Sequence, residues 1–219
     1  MDGPTNDATR TPENLSVPIY NELRRALICG RLMPGDSVSI RTLALGHNVS
    51  TMPVREALKL LSIEKALIGE AKKAYRVPDM HPRQAANLFQ IRAVLEGEAA
   101  ENAIGKLSKA DFSRLRAMTK RMNDAWAAND ACRFLDINFD FHSLIYMRAG
   151  NADLSDLIES LFVRTGPWLA HSIINLSAPE DWNNEHFAIV DSLEAGHFAR
   201  ARLLVEDDAK WSMALLRQQ

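Results

Sequence analysis

Residues 40–61, IRTLALGHNVSTMPVREALKLL, constrain the fold more than any other stretch of this 219-residue chain. Their spacing predicts a short helix, a tight turn and a second helix. Ile40, Leu43 and Ala44 recur at the helical interval and can face inward. Gly46-His47-Asn48 interrupts the pattern, and glycine tolerates the positive φ of a helix end. Ser50 or Thr51 can cap the next helix, with Pro53 allowed in its first turn. Val54, Ala57, Leu58 and Leu61 then form an apolar stripe, while Thr51, Met52, Arg55 and Lys59 fall toward the other side. Two helices around a short turn, the second presenting cations, are what enters a DNA major groove.

Charge divides the chain in the same sense. The net charge is −2, which by itself argues against a strongly basic nucleic-acid binder. Residues 15–78 nevertheless carry 10 Lys and Arg against 5 Asp and Glu, whereas residues 79–219 carry 15 against 20. A small basic unit followed by a larger acidic one fits a DNA reader joined to a part that stays off DNA. The surplus is modest and adds only weak support. Two cysteines, Cys29 and Cys132, without metal-ligand spacing point to a reducing, cytoplasmic setting. No apolar run approaches the roughly 18 residues of a membrane span, and the polar start is no secretory signal.

Taken in order, residues 1–14 read as a disordered arm. Ser16-Val17-Pro18 opens a helix with Ile19, Leu23, Ala26 and Leu27 inward, and Gly30 ends it. After the helix-turn-helix, Ala66-Leu67-Ile68 and Tyr75-Arg76-Val77 flank Lys72-Lys73, a β-hairpin wing with a basic tip or, standing alone, a solvated loop. Pro78 and Pro82 mark a domain boundary. Beyond it the pattern predicts seven amphipathic helices: 83–103, 109–129, 131–149, 154–162, 167–176, 182–195 and 197–216. The expected fold is therefore mainly α, with a winged helix-turn-helix over 15–78 and an antiparallel all-α bundle over 79–219.

Polar groups interrupt three apolar stripes of that bundle. Asn138 and His142, four apart, meet on one helix face. His186 interrupts a second stripe and Asp208 a third. A buried carboxylate needs a cation, donors or a metal. Converging, these four residues would offer two imidazoles, a carboxylate and an amide oxygen, a set suited to Zn²⁺, Mn²⁺, Fe²⁺ or Ni²⁺. The plainer reading makes each histidine a hydrogen-bonded core residue and leaves Asp208 in solvent. Arg92 could grip an acidic ligand bidentately or simply pair with Glu96. Arg164 and His171 could line the same pocket or face water.

The chain resembles the GntR family of bacterial transcriptional regulators, in the FadR subgroup whose C-terminal half is the all-helical FCD ligand-binding domain. The first half of the resemblance rests on Val17-Pro18-Ile19-Tyr20, Leu23-Arg24, Ile28-Cys29-Gly30-Arg31-Leu32, Pro34-Gly35, Leu43-Ala44, Val49-Ser50 and Pro53-Val54-Arg55-Glu56-Ala57-Leu58. The second rests on Ile91-Arg92 with Leu95-Glu96, Phe141-His142, Gly150-Asn151, Glu185-His186 and Ala195-Gly196. It implies a homodimeric, non-enzymatic repressor or activator of a double-stranded DNA operator, released or rearranged by a small carboxylate effector. It implies DNA contacts from Arg41, Ser50, Arg55 and the wing near Lys72–Ala74, and a divalent metal on Asn138, His142, His186 and Asp208. Thr51 and Met52 stand where the family has Arg and Thr, so operator preference is expected to depart from that of relatives. Asn138 replaces the family's Asp, and Asp208 its His. Two alternatives stay open: a metal-dependent enzyme acting on a small organic acid, and a bundle that serves dimerisation alone.

Overall fold

The computed structural model describes residues 12–70, 74–174 and 184–214. The N-terminal head begins with α1 (Pro12–Ile28), followed by β1 (Ser37–Ser39), α2 (Ile40–Gly46), α3 (Thr51–Ile63), β2 (Ile68–Glu70) and β3 (Ala74–Arg76). Leu23 and Leu27 of α1 pack with Val54, Leu58 and Leu61 of α3 in one buried cluster. A hydrogen bond from Tyr20 to Glu64 ties the same two helices. Ser39 caps α2 by accepting the Thr42 N–H at 3.3 Å.

The strands form an antiparallel sheet in the order β1-β3-β2. Tyr75 lies opposite both Val38 and Gly69, and hydrogen bonds between Val77 and Asp36 and between Gly35 and Val77 prolong the pairing. This is the expected wing with one unexpected strand. Ser37–Ser39 has no strand signature of its own and is extended because β3 supplies its partner.

The bundle comprises α4 (Pro82–Ala103), α5 (Lys109–Ala127), α6 (Ala131–Arg148), α7 (Ala152–Ile174), α8 (Asn184–Glu194) and α9 (Phe198–Ala214). Phe89, Leu115, Phe141, Ile145, Ile158, Ile189 and Val205 fill its centre. Ser108 and Asp111 form a reciprocal capping box at the start of α5.

Three local expectations are corrected. The first helix begins at Pro12, inside the segment read as a disordered arm, and carries Pro18 in its interior. Residues 1–11 lie outside the described residues. The positive φ in the helix-turn-helix falls on Asn48, at 52°, and Gly46 remains helical. The segments 154–162 and 167–176 are one helix, α7, with Gly166 and Pro167 inside it.

Tertiary packing explains the last point. A side chain at Gly166 would stand 2.6 Å from Ile28 Cα and 2.7 Å from the Leu27 and Ile28 carbonyl oxygens. On the other side Gly30, at φ 73°, would bring a Cβ within 2.1 Å of Ala170 Cβ. α1 and α7 therefore meet backbone to backbone, and the buried Pro167 is held in the helix by its surroundings despite its missing N–H. Arg25 reinforces the junction. It pairs with Asp136, donates to Asp140 Oδ1 and the Asp136 carbonyl at 2.8 Å each, and lies over the Phe139 ring.

Candidate functional site

Arg41 stands on α2, and Thr51, Met52, Arg55 and Lys59 stand on α3. All five are exposed, as is Ser50 just before α3. Burying Val54, Ala57, Leu58 and Leu61 turns this opposite side of α3 outward. Ser50 holds the N-cap position, yet its hydroxyl makes no capping bond. That hydroxyl and the open N–H groups of the first turn can meet a phosphate. Lys72 and Lys73 lie outside the described residues.

The second cluster sits where α6, α8 and α9 converge. His142, His186 and Asp208 bring one ligand atom each to within 4.8 Å of one another. Both imidazoles are buried. His142 Nε2 approaches Asp208 Oδ2 at 3.1 Å, and His186 Nε2 approaches Asp208 Oδ1 at 3.7 Å. Among the described residues neither nitrogen makes a hydrogen bond, nor do His186 Nδ1 and Asn138 Oδ1, although all four atoms are buried. Orphaned polar atoms are costly in a core, so four in one place point to a missing partner.

The hydrogen bonds behind His142 sharpen this. Arg92 Nε donates to Glu96 Oε1 at 2.7 Å. Tyr146 spends its single proton on Glu96 Oε2, at 2.5 Å. The 3.0 Å contact between Tyr146 Oη and His142 Nδ1 is then a bond donated by Nδ1–H. In the neutral imidazole that leaves Nε2 bare, facing a carboxylate oxygen. Two acceptors at 3.1 Å require a cation between them, either a second proton or a metal ion. Fixing the tautomer through Nδ1 so that Nε2 can bind is the usual outer support of a metal-ligating histidine.

Electrostatics agree. Burial pulls the His186 imidazole down to about 4, so it is neutral and able to coordinate. Burial works against the Asp208 carboxylate, but the positive charge that His186 and His142 carry when protonated, and that of Arg92, outweigh it and hold the group well below the usual carboxylate range. Tyr146 is pushed far up by burial and by the Glu96 charge, so it stays a phenol. The donor set present fits a divalent cation.

Beside the cluster lies a cavity of about 20 Å³ bordered by Arg92, Asn138, Phe162, Gly166, Asp208 and Ile28. It has room for a water or an ion. Arg92 is buried, packs at 3.6 Å on Phe162, and donates to Thr165 Oγ1 at 3.0 Å as well as to Glu96. Ile28 is the last residue of α1, so the N-terminal head supplies one wall. Arg164 is half-buried and lines a different cleft, between head and bundle. His171 is exposed on α7 and lines neither.

Sequence reasoning missed Tyr146, Thr165 and Ile28. Tyr146 was within reach, since 138, 142 and 146 share one helical stripe. A tyrosine on an apolar face passes for core, so the signal was present but silent.

A winged helix-turn-helix docked on this helical bundle defines a class. The chain matches the bacterial regulatory proteins of the gntR family over residues 15–77 and the FCD domain over residues 87–208. It belongs to the GntR family and is a transcriptional regulator with an FCD domain. Among its relatives, the HTH-type transcriptional regulator McbR of Escherichia coli K12 is 28% identical over 208 residues, covering 94% of each chain. The solved structure of E. coli McbR/YncC superposes with a TM-score of 0.88, covering 94% of this chain and 98% of that one. The HTH-type transcriptional repressor GlaR of the same organism is 24% identical over 215 residues, covering 91% of this chain and 94% of that protein. A GntR regulator from Rhodococcus sp. RHA1, 20% identical, shares the fold at a TM-score of 0.75 over 93% of this chain and 97% of that one. Among the described residues no helix is long and apolar enough to cross a membrane.

Proposed function

We propose that this regulator is a homodimeric repressor whose hold on its operator is set by a divalent metal and a small carboxylate in the FCD bundle. The observation that carries the reading is the bare His142 Nε2 facing Asp208 Oδ2 at 3.1 Å. His142, His186, Asp208 and the Asn138 amide oxygen would hold the ion, with Zn²⁺, Ni²⁺, Mn²⁺ or Fe²⁺ as candidates. The ion would give a carboxylate a positive anchor, and Arg92 would supply a second contact.

The cavity of about 20 Å³ is too small for a metabolite. An effector therefore has to displace a wall, and Ile28 and Gly166 are the walls that join bundle to head. Ligand entry would shift α1 and with it α2 and α3, the elements bearing Arg41, Ser50, Thr51, Met52, Arg55 and Lys59. Wing contacts would come from Lys72 and Lys73. Repression is supported by the name of the relative GlaR. A second copy would find an apolar face on α4, where Ile91 and Val94 are 48% and 54% exposed, and two heads would read half-sites about one helical turn apart.

The test is elemental analysis of the purified chain, joined to fluorescence anisotropy on DNA from its own upstream region. The expected result is one divalent ion per chain, lost in His142→Ala, and specific DNA binding that a panel of small carboxylates weakens only in the metal-loaded protein. A chain that retains no ion after loading with each of the four metals would overturn the metal reading. Equal affinity for upstream and unrelated DNA at moderate salt would overturn the operator reading.

A further inference from the structure

A second cavity, unrelated to the metal cluster, opens where the head meets the bundle. Its volume is about 400 Å³, within the roughly 300–1,000 Å³ of small-molecule sites. The head contributes Lys65 and Leu67, from the segment after α3, and the bundle contributes Gln84, Arg164, Pro167 and Trp168.

Its charge is out of balance. Arg164 is half-buried, and burial alone acts on its guanidinium, with no carboxylate to offset it. It makes no ion pair or hydrogen bond among the described residues. Among the described residues, the other arginines buried or half-buried where helices meet have an acid, as Arg25 has Asp136, Arg92 has Glu96 and Arg24 has Glu64. The carboxylate lining the same cleft, Asp79, is already held by Arg76 at 2.6 Å. Lys65 adds a second cation and carries no ion pair among the described residues. Leu67, Val77, Met80, Pro167 and Trp168 give the cleft apolar wall, with the Trp168 indole buried and edge-on to Phe89, while Gln84 and Ser62 add neutral polar groups.

We propose that this cleft is a second ligand site that takes a small monocarboxylate with an apolar body, its carboxylate on Arg164 and Lys65 and its body against Trp168 and Leu67. A guanidinium in a partly desolvated wall favours a planar carboxylate, with which it bonds bidentately. Because head and bundle each supply part of the lining, an occupant holds the two in one relative placement. α7 is the shared partition: Arg164 and Pro167 face this cleft, while Thr165 bonds Arg92 and Gly166 borders the cavity beside the metal cluster. Ligands in the two sites would therefore bias the same helix, and DNA would change the affinity of this one by the factor by which it changes DNA binding. The inference does not depend on a metal being bound.

The test uses the full chain, with benzoate and octanoate as probes and benzamide as the uncharged counterpart of benzoate. Binding is followed by isothermal titration and by tryptophan fluorescence. The expected result is binding of at least one acid, no binding of benzamide, a loss of tenfold or more in Arg164→Gln, and a loss of several-fold in the exposed variant Lys65→Gln. His142→Ala, which strikes the other site, should still bind the acid in this cleft. Binding lost in His142→Ala but kept in Arg164→Gln would assign the acid to the metal cluster and overturn the proposal, as would failure of both acids to bind at millimolar concentration. If Arg164→Gln does not fold, Lys65→Gln decides: an unchanged affinity there overturns the proposal.

Discussion

Asp111 carries three tasks on one carboxylate. It accepts the Ser108 N–H at 2.9 Å and the Ser108 hydroxyl at 2.8 Å, closing the capping box of α5. It also takes Nε and Nη2 of Arg148 on α6, at 3.0 and 2.9 Å. The Arg148 bonds first, and the Ser108 bonds after them, hold its carboxyl well below the usual carboxylate range. A group whose folded pKa is lowered stabilises the fold above its unfolded pKa, about 3.9 for Asp, and loses that contribution as pH falls. Asp111→Asn is therefore expected to lower the urea midpoint most at pH 7. The gap to the parent should shrink steadily below about pH 4, where the unfolded parent begins to take up the proton. A gap that stays constant from pH 7 to pH 3 would mean that Asp111 acts by shape alone.

At the scale of elements, the α1–α7 contact is the feature that sets the geometry of the molecule. Two glycines on opposite sides, Gly30 and Gly166, let the helices touch where any side chain would collide with backbone or with Ala170. Gly166→Ala should cost about 1–3 kcal/mol, the usual range for overpacking, because its Cβ would meet the main chain of Ile28, which cannot swing aside. Gly46→Ala is the control. It meets nothing within 4 Å, lies in α2, and should be neutral or stabilise by up to about 1 kcal/mol through helix propensity. Equal urea midpoints for the two variants would show that α1 can yield. The same contact explains what the sequence disclosed and what it withheld. The stripes of α3 and α6 were legible because each repeats at the helical interval, and Asn138, His142, His186 and Asp208 stood out by interrupting them. Pro167 hides the continuity of α7, because a proline signals a helix end locally while a distant helix decides the outcome. Ser37–Ser39 was invisible for the same reason: three residues become a strand only when β3 lies alongside. Asn48 took the turn's positive φ because asparagine, unlike most residues, tolerates the left-handed region.

Over the whole molecule, a signal from the bundle has a short way to travel. Asn138, one of the candidate ligands, lies on α6 within the stretch that Arg25 of the head grips through Asp136, Phe139 and Asp140, and His142 follows two residues further on. A change in the placement of α6 therefore reaches α1 through one side chain, and α1 packs directly on the recognition helix α3. Breaking this grip should separate binding from response. Arg25→Ala lies outside the ligand set, so it should retain the metal content of the parent. Its DNA affinity, however, should change less on metal loading. Allosteric coupling is commonly worth about 5–150-fold, and Arg25→Ala should cut whatever factor the parent shows to a small fraction of it. The measurement is the anisotropy Kd for upstream DNA, with and without metal, in both proteins. The comparison is informative because the other route, through Ile28 and Gly166, stays intact in the variant. If the full factor survives in Arg25→Ala with metal still bound, the signal passes through the α1–α7 backbone contact, and Gly166→Ala becomes the variant that should abolish it.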